Sequence, residues 1–451
     1  MKTSEKSGSL FYVMGISLIA ALGGFLFGFD MTVVSGTLPF LEKVFSLSGA
    51  SLGWAVSSCI LACIFGAASA GKLADVFGRK KVLIVTAVLF AISAVGAGWA
   101  NSFHAFILYR FLGGLAIGAA SGIAPIYVAE SAPTRLRGRF VSFYQLAIVV
   151  GILASYYSNY FLLQLGDDAW RWMFAAGVVP AGLFFGLLFL VPETPRWLVK
   201  SGRTEEALRV LTRIDGETYA REEMAVIQQT LQVRKGKFSD LLKPRMFRIV
   251  VIGSLLGIFS QICGANAVFL YAPKIFAQAG SGLQDSLFQT SFIGLINFFC
   301  TFIPIIFVER VGRRPLLLGG VAVMTVVMGW LTWLFHVHAT GMVVLVAVLA
   351  YIAAYCSSLA CLTWVILSEI FPNRIRGEAM SIANLSLWTA NYILLQTFPM
   401  IEARYGITSA FGTYSVICVG ILVFVWKFIP ETKGKSLEEI EMQLIGLEEK
   451  K

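Results

Sequence analysis

Long apolar runs constrain this chain more than any other feature. Twelve segments have the roughly 20 residues needed to cross hydrocarbon. They span 11–37, 52–70, 82–100, 103–129, 140–163, 171–191, 248–277, 287–308, 315–335, 342–370, 379–401 and 408–429. Of the 451 residues 57% are hydrophobic and 14% charged, against about 25% charged in a soluble domain. The reading is an all-α polytopic membrane protein with twelve transmembrane helices, not a large globular core. The first run is too long, and lacks the cleavage site, for a secretory signal peptide.

A net charge of +10 invites a nucleic-acid partner, but its distribution argues otherwise. With the N-terminus inside, all but five of the 36 Lys and Arg fall in inner segments or at inner helix ends. The five are Lys43, Arg110, Arg171, Lys274 and Arg404. This positive-inside pattern puts both termini in the cytoplasm. The cations then meet anionic lipid headgroups of the bilayer, and no nucleic acid is expected. The seven cysteines all fall within the predicted spans, as buried thiols would. His104, His336 and His338 lie near outer helix ends with no metal-ligand spacing. There is no Gly-rich phosphate loop, nucleophile elbow or paired-carboxylate motif. The expectation is a protein that is not an enzyme and carries no metal or cofactor.

Between 192 and 247 the composition turns polar, with helical periodicity over 204–214 and 222–233. The predicted organisation is a first six-helix half (1–191), a cytoplasmic helical linker (192–247), a second six-helix half (248–429) and a cytoplasmic tail (430–451). The halves repeat each other. E-x-x-P-x-R-x-R-G occurs at 130–138 and again at 369–377. Pro192-Glu193-Thr194 returns as Pro430-Glu431-Thr432, and Gly78-Arg79-Lys80 as Gly312-Arg313-Arg314, in the same order and at nearly the same spacing. Even-numbered halves of one orientation form a parallel repeat. Transporters of this build use alternating access, in which a site between the halves opens to each side in turn.

Residues 71–80 read G-K-L-A-D-V-F-G-R-K and closely resemble the inner loop of the major facilitator superfamily. The segments at 109–114 (Y-R-F-L-G-G), 192–198 (P-E-T-P-R-W-L), 308–314 (V-E-R-V-G-R-R) and 430–434 (P-E-T-K-G) resemble the signatures of its sugar porter family. That family includes bacterial pentose–proton symporters and mammalian glucose facilitators. The resemblance spans nearly the whole chain. It implies the major facilitator fold and an inner-face salt-bridge network between and within the halves. Carried over, this cytoplasmic gate comprises Asp75, Arg79, Glu130, Arg137, Glu193, Arg196, Glu309, Arg313, Glu369 and Arg376. Such contacts are worth little singly, about 0–1 kcal/mol. As a set they suit a latch in a two-state element.

Amides inside apolar spans are costly and commonly line a cavity. Gln145, Gln261, Asn266, Asn297 and Asn391 are the candidates. An amide both donates and accepts, so it can hold paired sugar hydroxyls without adding charge. Trp364 and Trp388 offer a flat face for the C–H side of a ring, and Phe27 is a candidate for the sugar path. Gly264 would ease unwinding of the seventh span. By the resemblance these positions contact sugar, with Ser260 where the family has a first Gln. Leu270 and Leu387 replace polar residues common in the family. The tenth span reads Ser357-Ser358 where the family carries a Gly/Pro break, so loss of that break is expected. Each amide also has a plainer reading as an interhelical hydrogen bond.

Asp30 interrupts the first span, and Arg110 is the other intramembrane charge of the first half. At about 1.5 Å per residue both lie roughly 10–12 Å beneath the outer end, so they can pair. An adjacent arginine favours the charged carboxylate, whereas burial favours the neutral one. Rocking of the helices can tip that balance. In the family, proton symporters carry Asp here and facilitators usually Asn. By that resemblance Asp30 accepts the coupling proton and Arg110 modulates it.

The reading is a sugar porter that imports a monosaccharide with a proton. Four competitors stand beside it: a sugar uniporter with Asp30 structural, a transporter of a polyol such as inositol, a sugar sensor, and an exporter of apolar compounds. The short stretch after Pro430 argues against a sensor with a signalling tail. Short outer loops without an N-x-S/T acceptor suggest a bacterial cytoplasmic membrane. A monomer suffices, because the path runs within one chain.

Overall fold

Every predicted apolar run is largely helical in the computed structural model, which describes residues 10–133, 135–232, 241, 243–372, 375–435 and 439. The first part of the chain forms α1 (Leu10–Val44), α2 (Gly49–Phe77), α3 (Arg79–Gly98), α4 (Phe103–Ser131), α5 (Arg137–Leu162), α6 (Ala169–Ala175) and α7 (Val178–Leu188). The linker region contributes α8 (Pro195–Lys200) and α9 (Thr204–Gln232). The second part forms α10 (Pro244–Ile262), α11 (Ala265–Gln278), α12 (Leu283–Val311), α13 (Arg313–His336), α14 (Met342–Cys356), α15 (Leu359–Ile370) and α16 (Arg376–Phe428).

Among the described residues ten helical stretches are long and apolar enough to cross a membrane. Two of them, Arg137–Leu188 and Arg376–Phe428, hold 52 and 53 residues, enough to cross twice. Each turns at a left-handed glycine, Gly166 (φ 77°) and Gly406 (φ 82°), where a loop between spans is expected. The twelve predicted spans are therefore all present. Apolar side chains left bare on the surface, such as Val179, Leu190, Val326 and Val416, are what a lipid-facing exterior requires.

Three details differ from or refine the sequence reading. The first helix continues through Pro39 to Val44 instead of stopping near Thr37; transmembrane helices tolerate a proline when neighbours take up the freed carbonyl. The seventh span breaks as expected, between α10 and α11, with Gly264 at φ 98°. The tenth span also breaks, between α14 and α15, although the glycine and proline are missing. Here the hydroxyls of Ser357 and Ser358 both donate to the carbonyl of Ala354, at 3.2 and 2.6 Å. Ser358 sits so close to Gly320 on α13 that a Cβ there would stand 2.1 Å from it. Two serines and a facing glycine thus do the work of a Gly/Pro pair. In the linker, α9 is interrupted at Asp215 and Gly216, between the two expected helices. Val233 at the end of the second one, with 234–240 and 242 of the linker and 436–438 and 440–451 of the tail, lies outside the described residues.

Packing groups the described chain into two units. One comprises the chain up to Val33, Ala62–Ser158 and Arg171 to the end of α9. Within it backbones approach at glycines. A Cβ on Gly28 would stand 2.0 Å from the carbonyl of Ile148, and one on Gly151 2.1 Å from that of Phe25, so α1 and α5 touch reciprocally. Gly66 and Gly118 do the same for α2 and α4, 2.4 and 2.2 Å from the carbonyls of Leu115 and Cys63. Such contacts replace the hydrophobic drive that lipid cannot supply. The other unit comprises Val34–Leu61, Asn159–Trp170 and the second half. In it Ser57 donates to Gln396 at 2.7 Å, Gln396 donates to the carbonyl of Ala50 at 3.0 Å, and Trp54 meets Tyr392 edge-on.

Gly28→Val and Gly151→Val force α1 and α5 apart and should each cost about 1–3 kcal/mol, the usual range for overpacking. Thermal unfolding in detergent reads this as a midpoint lower by several degrees. Gly182→Ala, with open space around it, should leave the midpoint unchanged or slightly raised.

Candidate functional site

In the first unit Asp30 and Arg110 meet as predicted. Arg110 Nη1 lies 3.0 Å from Asp30 Oδ1, and Nη2 donates to the Asp30 main-chain carbonyl at 3.1 Å. The side chains are 9% and 1% exposed. The guanidinium also lies over the Phe174 ring, 5.4 Å from its centroid. These contacts hold both charges where neither could stand alone. Asp30 Oδ2 is buried and accepts no hydrogen bond. One carboxylate oxygen is therefore committed to the arginine and the other is not. Phe27 and Gln145 lie in this same unit, both half-buried.

In the second unit the broken seventh span assembles amides. Asn266, in the first turn of α11, donates to Gln261 Oε1 at 2.6 Å and to Asn391 Oδ1 at 3.0 Å. Gln261 in turn donates to Ser260 Oγ at 3.0 Å. Four predicted residues thus form one connected polar chain. The break frees carbonyls, and tyrosines claim them: Tyr351 donates to Cys263 at 2.7 Å and Tyr355 to Ser260 at 3.4 Å. Neither tyrosine was singled out in the sequence. Asn297 is not part of this chain; it accepts from the thiol of Cys356 at 3.1 Å. Trp388 is buried, whereas Trp364 is 43% exposed. Leu270 and Leu387 are both buried. All seven cysteines are unbridged, five of them buried.

The expected inner-face residues form the same knot twice. Arg79 pairs with Asp75 and Glu130, each at 3.2 Å. Arg313 pairs with Glu309 at 2.8 Å and Glu369 at 2.9 Å. Behind each arginine a glutamate of the P-E-T motif accepts from the first backbone N–H groups of the following helix. Glu193 takes those of Arg79 and Lys80 at the start of α3, and Glu431 those of Arg313 and Arg314 at the start of α13. A helix N-terminus leaves such donors unpaired and favours an anion. Gly78 and Gly312 make the turn with φ 100° and 101°. Arg137 reaches Glu223 of α9 at 3.7 Å, Arg376 donates to the carbonyl of Phe371, and Arg196 is exposed. Thr134, Asn373 and Arg374 of the repeated motif lie outside the described residues.

One charged cluster was missed. Lys274 of α11 pairs with Glu402 of α16 at 2.9 Å and Glu42 of α1 at 3.3 Å, and Gln278 also donates to Glu402. Its signal was present, since Lys274 is a cation in an apolar span that breaks the positive-inside pattern, and such a group needs an anion.

Comparison with known proteins gives a consistent result. The family profile described as Sugar (and other) transporter matches residues 16–444. The chain is 40% identical to the arabinose-proton symporter of Bacillus subtilis over 97% of its own length and 96% of that protein. It is 40% identical to the D-xylose-proton symporter of Escherichia coli, covering 95% of each. Its fold is similar to the inward-open conformation of the E. coli xylose transporter XylE, with a TM-score of 0.86 at 38% identity, over 96% of this chain and all of that one. Against the same transporter bound to 6-bromo-6-deoxy-D-glucose the TM-score is 0.80.

The two P-E-T glutamates differ in one respect. Burial, the largest influence on Glu193, holds its carboxyl above the ordinary range despite the N–H groups of Thr194, Lys80 and Arg79. Glu431 is also pushed up by burial, but the N–H groups of Lys433, Arg313, Arg314 and Thr432 outweigh it and the net direction is down. The stability Glu431 contributes is therefore present above the ordinary carboxylate range and lost as pH falls through its lowered value. Glu193 contributes least above its raised value and most below the ordinary range. Between pH 4 and pH 7 the stability loss in Glu431→Gln should grow, and that in Glu193→Gln should shrink. Unfolding midpoints at the two pH values give the sign of each change.

Proposed function

The chain belongs to the sugar transporter family, as a sugar porter of the major facilitator superfamily, and from that membership we propose that it imports a pentose or hexose together with a proton. The observation that carries the coupling is the buried Asp30–Arg110 pair with Oδ2 uncommitted. The names of its relatives support the same reading: one moves arabinose and another D-xylose, each with a proton. They do not favour uniport with Asp30 structural.

In this reading the proton binds Asp30 and the sugar binds the amide chain of Gln261, Asn266 and Asn391, with Ser260, Gln145, Asn297, Phe27, Trp364 and Trp388 as further contacts. The amides now bond one another, and each can exchange that partner for a sugar hydroxyl, so binding leaves no amide unpaired. The inner knots serve as the cytoplasmic gate. The chain works as a monomer in a bacterial cytoplasmic membrane with both termini inside. The proton is its only coupling partner, and no metal or organic cofactor takes part.

With one proton per neutral sugar, a gradient of about one pH unit sustains about tenfold accumulation, since tenfold corresponds to about 1.4 kcal/mol. Proteoliposomes with an acidic exterior should concentrate labelled arabinose or xylose to that order. Asp30→Asn should only equilibrate the sugar, while still exchanging labelled for unlabelled sugar across the membrane. Concentrative uptake by Asp30→Asn would overturn the assignment.

A further inference from the structure

The proton site contains a second oxygen that the coupling scheme does not use. On α3, Ser93 is fully buried and its hydroxyl bonds nothing in the protein. This is unusual for the helix it stands on. Thr86 of the same helix donates to the carbonyl of Leu83 at 2.7 Å, the ordinary outlet for a helical hydroxyl. Ser93 instead faces Gly113 of α4. A Cβ at Gly113 would stand 2.4 Å from Ser93 Oγ and 3.0 Å from Asp30 Oδ2. The two unpartnered oxygens therefore border one small gap, which exists because residue 113 has no side chain.

Two buried oxygens without partners are costly. With Asp30 charged, Oδ2 and Ser93 Oγ stand unbonded on either side of this gap. With Asp30 neutral, Oδ2–H is a donor and Ser93 Oγ is an acceptor beside it. We propose that Ser93 is the positioning residue of the proton site, receiving the hydrogen bond of the proton carried on Asp30 Oδ2, with Gly113 providing the room for the two to close. This rests on Asp30 as the proton acceptor. Oδ1 faces Arg110 in both states. When the proton is bound, Arg110 keeps the Asp30 main-chain carbonyl and the Phe174 face. Three helices, α1, α3 and α4, thereby meet at the proton.

The test compares Ser93→Ala, Ser93→Thr and Asp30→Asn in proteoliposomes, with unfolding midpoints as the check on folding. Ser93→Ala removes an oxygen that bonds nothing in the structure, so its midpoint should match the parent and its sugar exchange should persist. Its concentrative uptake should fall to half at a more acidic pH, displaced by about half a unit or more, which is about a threefold change in a protonation equilibrium. Ser93→Thr keeps the hydroxyl and should restore the parent profile. An unchanged pH profile in a folded Ser93→Ala, while Asp30→Asn loses accumulation, would remove Ser93 from the proton site and leave Asp30 in it. Should Ser93→Ala fail to fold, a folded Ser93→Thr with a displaced profile overturns the proposal, and one with the parent profile supports it. Accumulation surviving in Asp30→Asn sinks the underlying reading, whatever Ser93 does.

Discussion

In hydrocarbon a backbone carbonyl or N–H without a partner costs several kcal/mol, and this constraint shapes the whole molecule. It makes every span helical. It also decides where a helix can be broken, because each break must bring its own donors. At Cys263–Gly264 the freed carbonyls are met by Tyr351 and Tyr355 from the neighbouring tenth span. At Ser357–Ser358 the donors come from the broken segment itself. The two breaks are linked, since Tyr351 and Tyr355 lie on the helix that ends at the second one. The amide chain on α10, α11 and α16 exists because α11 starts afresh there and turns Asn266 toward Gln261 and Asn391.

The helix ends that carry the repeated motifs answer the same constraint. Each half places a left-handed glycine before a helix, and the P-E-T glutamate caps the helix that follows. A main-chain cap of this kind fixes the loop, and the fixed loop then aims an arginine at two carboxylates. The pairs differ in exposure: Arg79–Glu130 is shielded on both sides, whereas Glu309, 72% exposed, pairs with Arg313 at the surface, where a pair contributes little. The differing burial of Glu193 and Glu431 means the two copies are not equivalent despite the shared motif.

Much of this was legible in the residues. Apolar length marked the twelve spans, and depth counting along α1 and α4 paired Asp30 with Arg110. Four polar residues picked out inside apolar spans proved to be bonded in one chain. What was illegible depended on neighbours far away in sequence. No local pattern says that two serines will open a helix, because the opening depends on Gly320 of α13 accepting Ser358. Tyr351 and Tyr355 read as ordinary apolar-span aromatics until the carbonyls they bond are known. Lys274 was noted as a stray outer cation, yet Glu42 and Glu402, its partners, are distant in the chain. Packing also assigns Val34–Leu61, the end of α1 and the start of α2, to the unit containing the second half, whereas the repeat alone divides the chain at the linker.

Under the proposed coupling, the geometry of the Asp30–Arg110 pair explains how a proton is carried at this depth. A carboxylate buried beside a guanidinium is stable only as a pair, and breaking such a pair by removing one charge is normally severe. Protonation removes one charge. It is tolerable here because Arg110 does not depend on Asp30 Oδ1 alone: it also holds the main-chain carbonyl of Asp30 and covers the Phe174 ring. These contacts stay with the arginine when the carboxylate is neutral. An arginine anchored to the backbone of its own partner thus makes the charge on Asp30 exchangeable, which a fully bidentate pair would not.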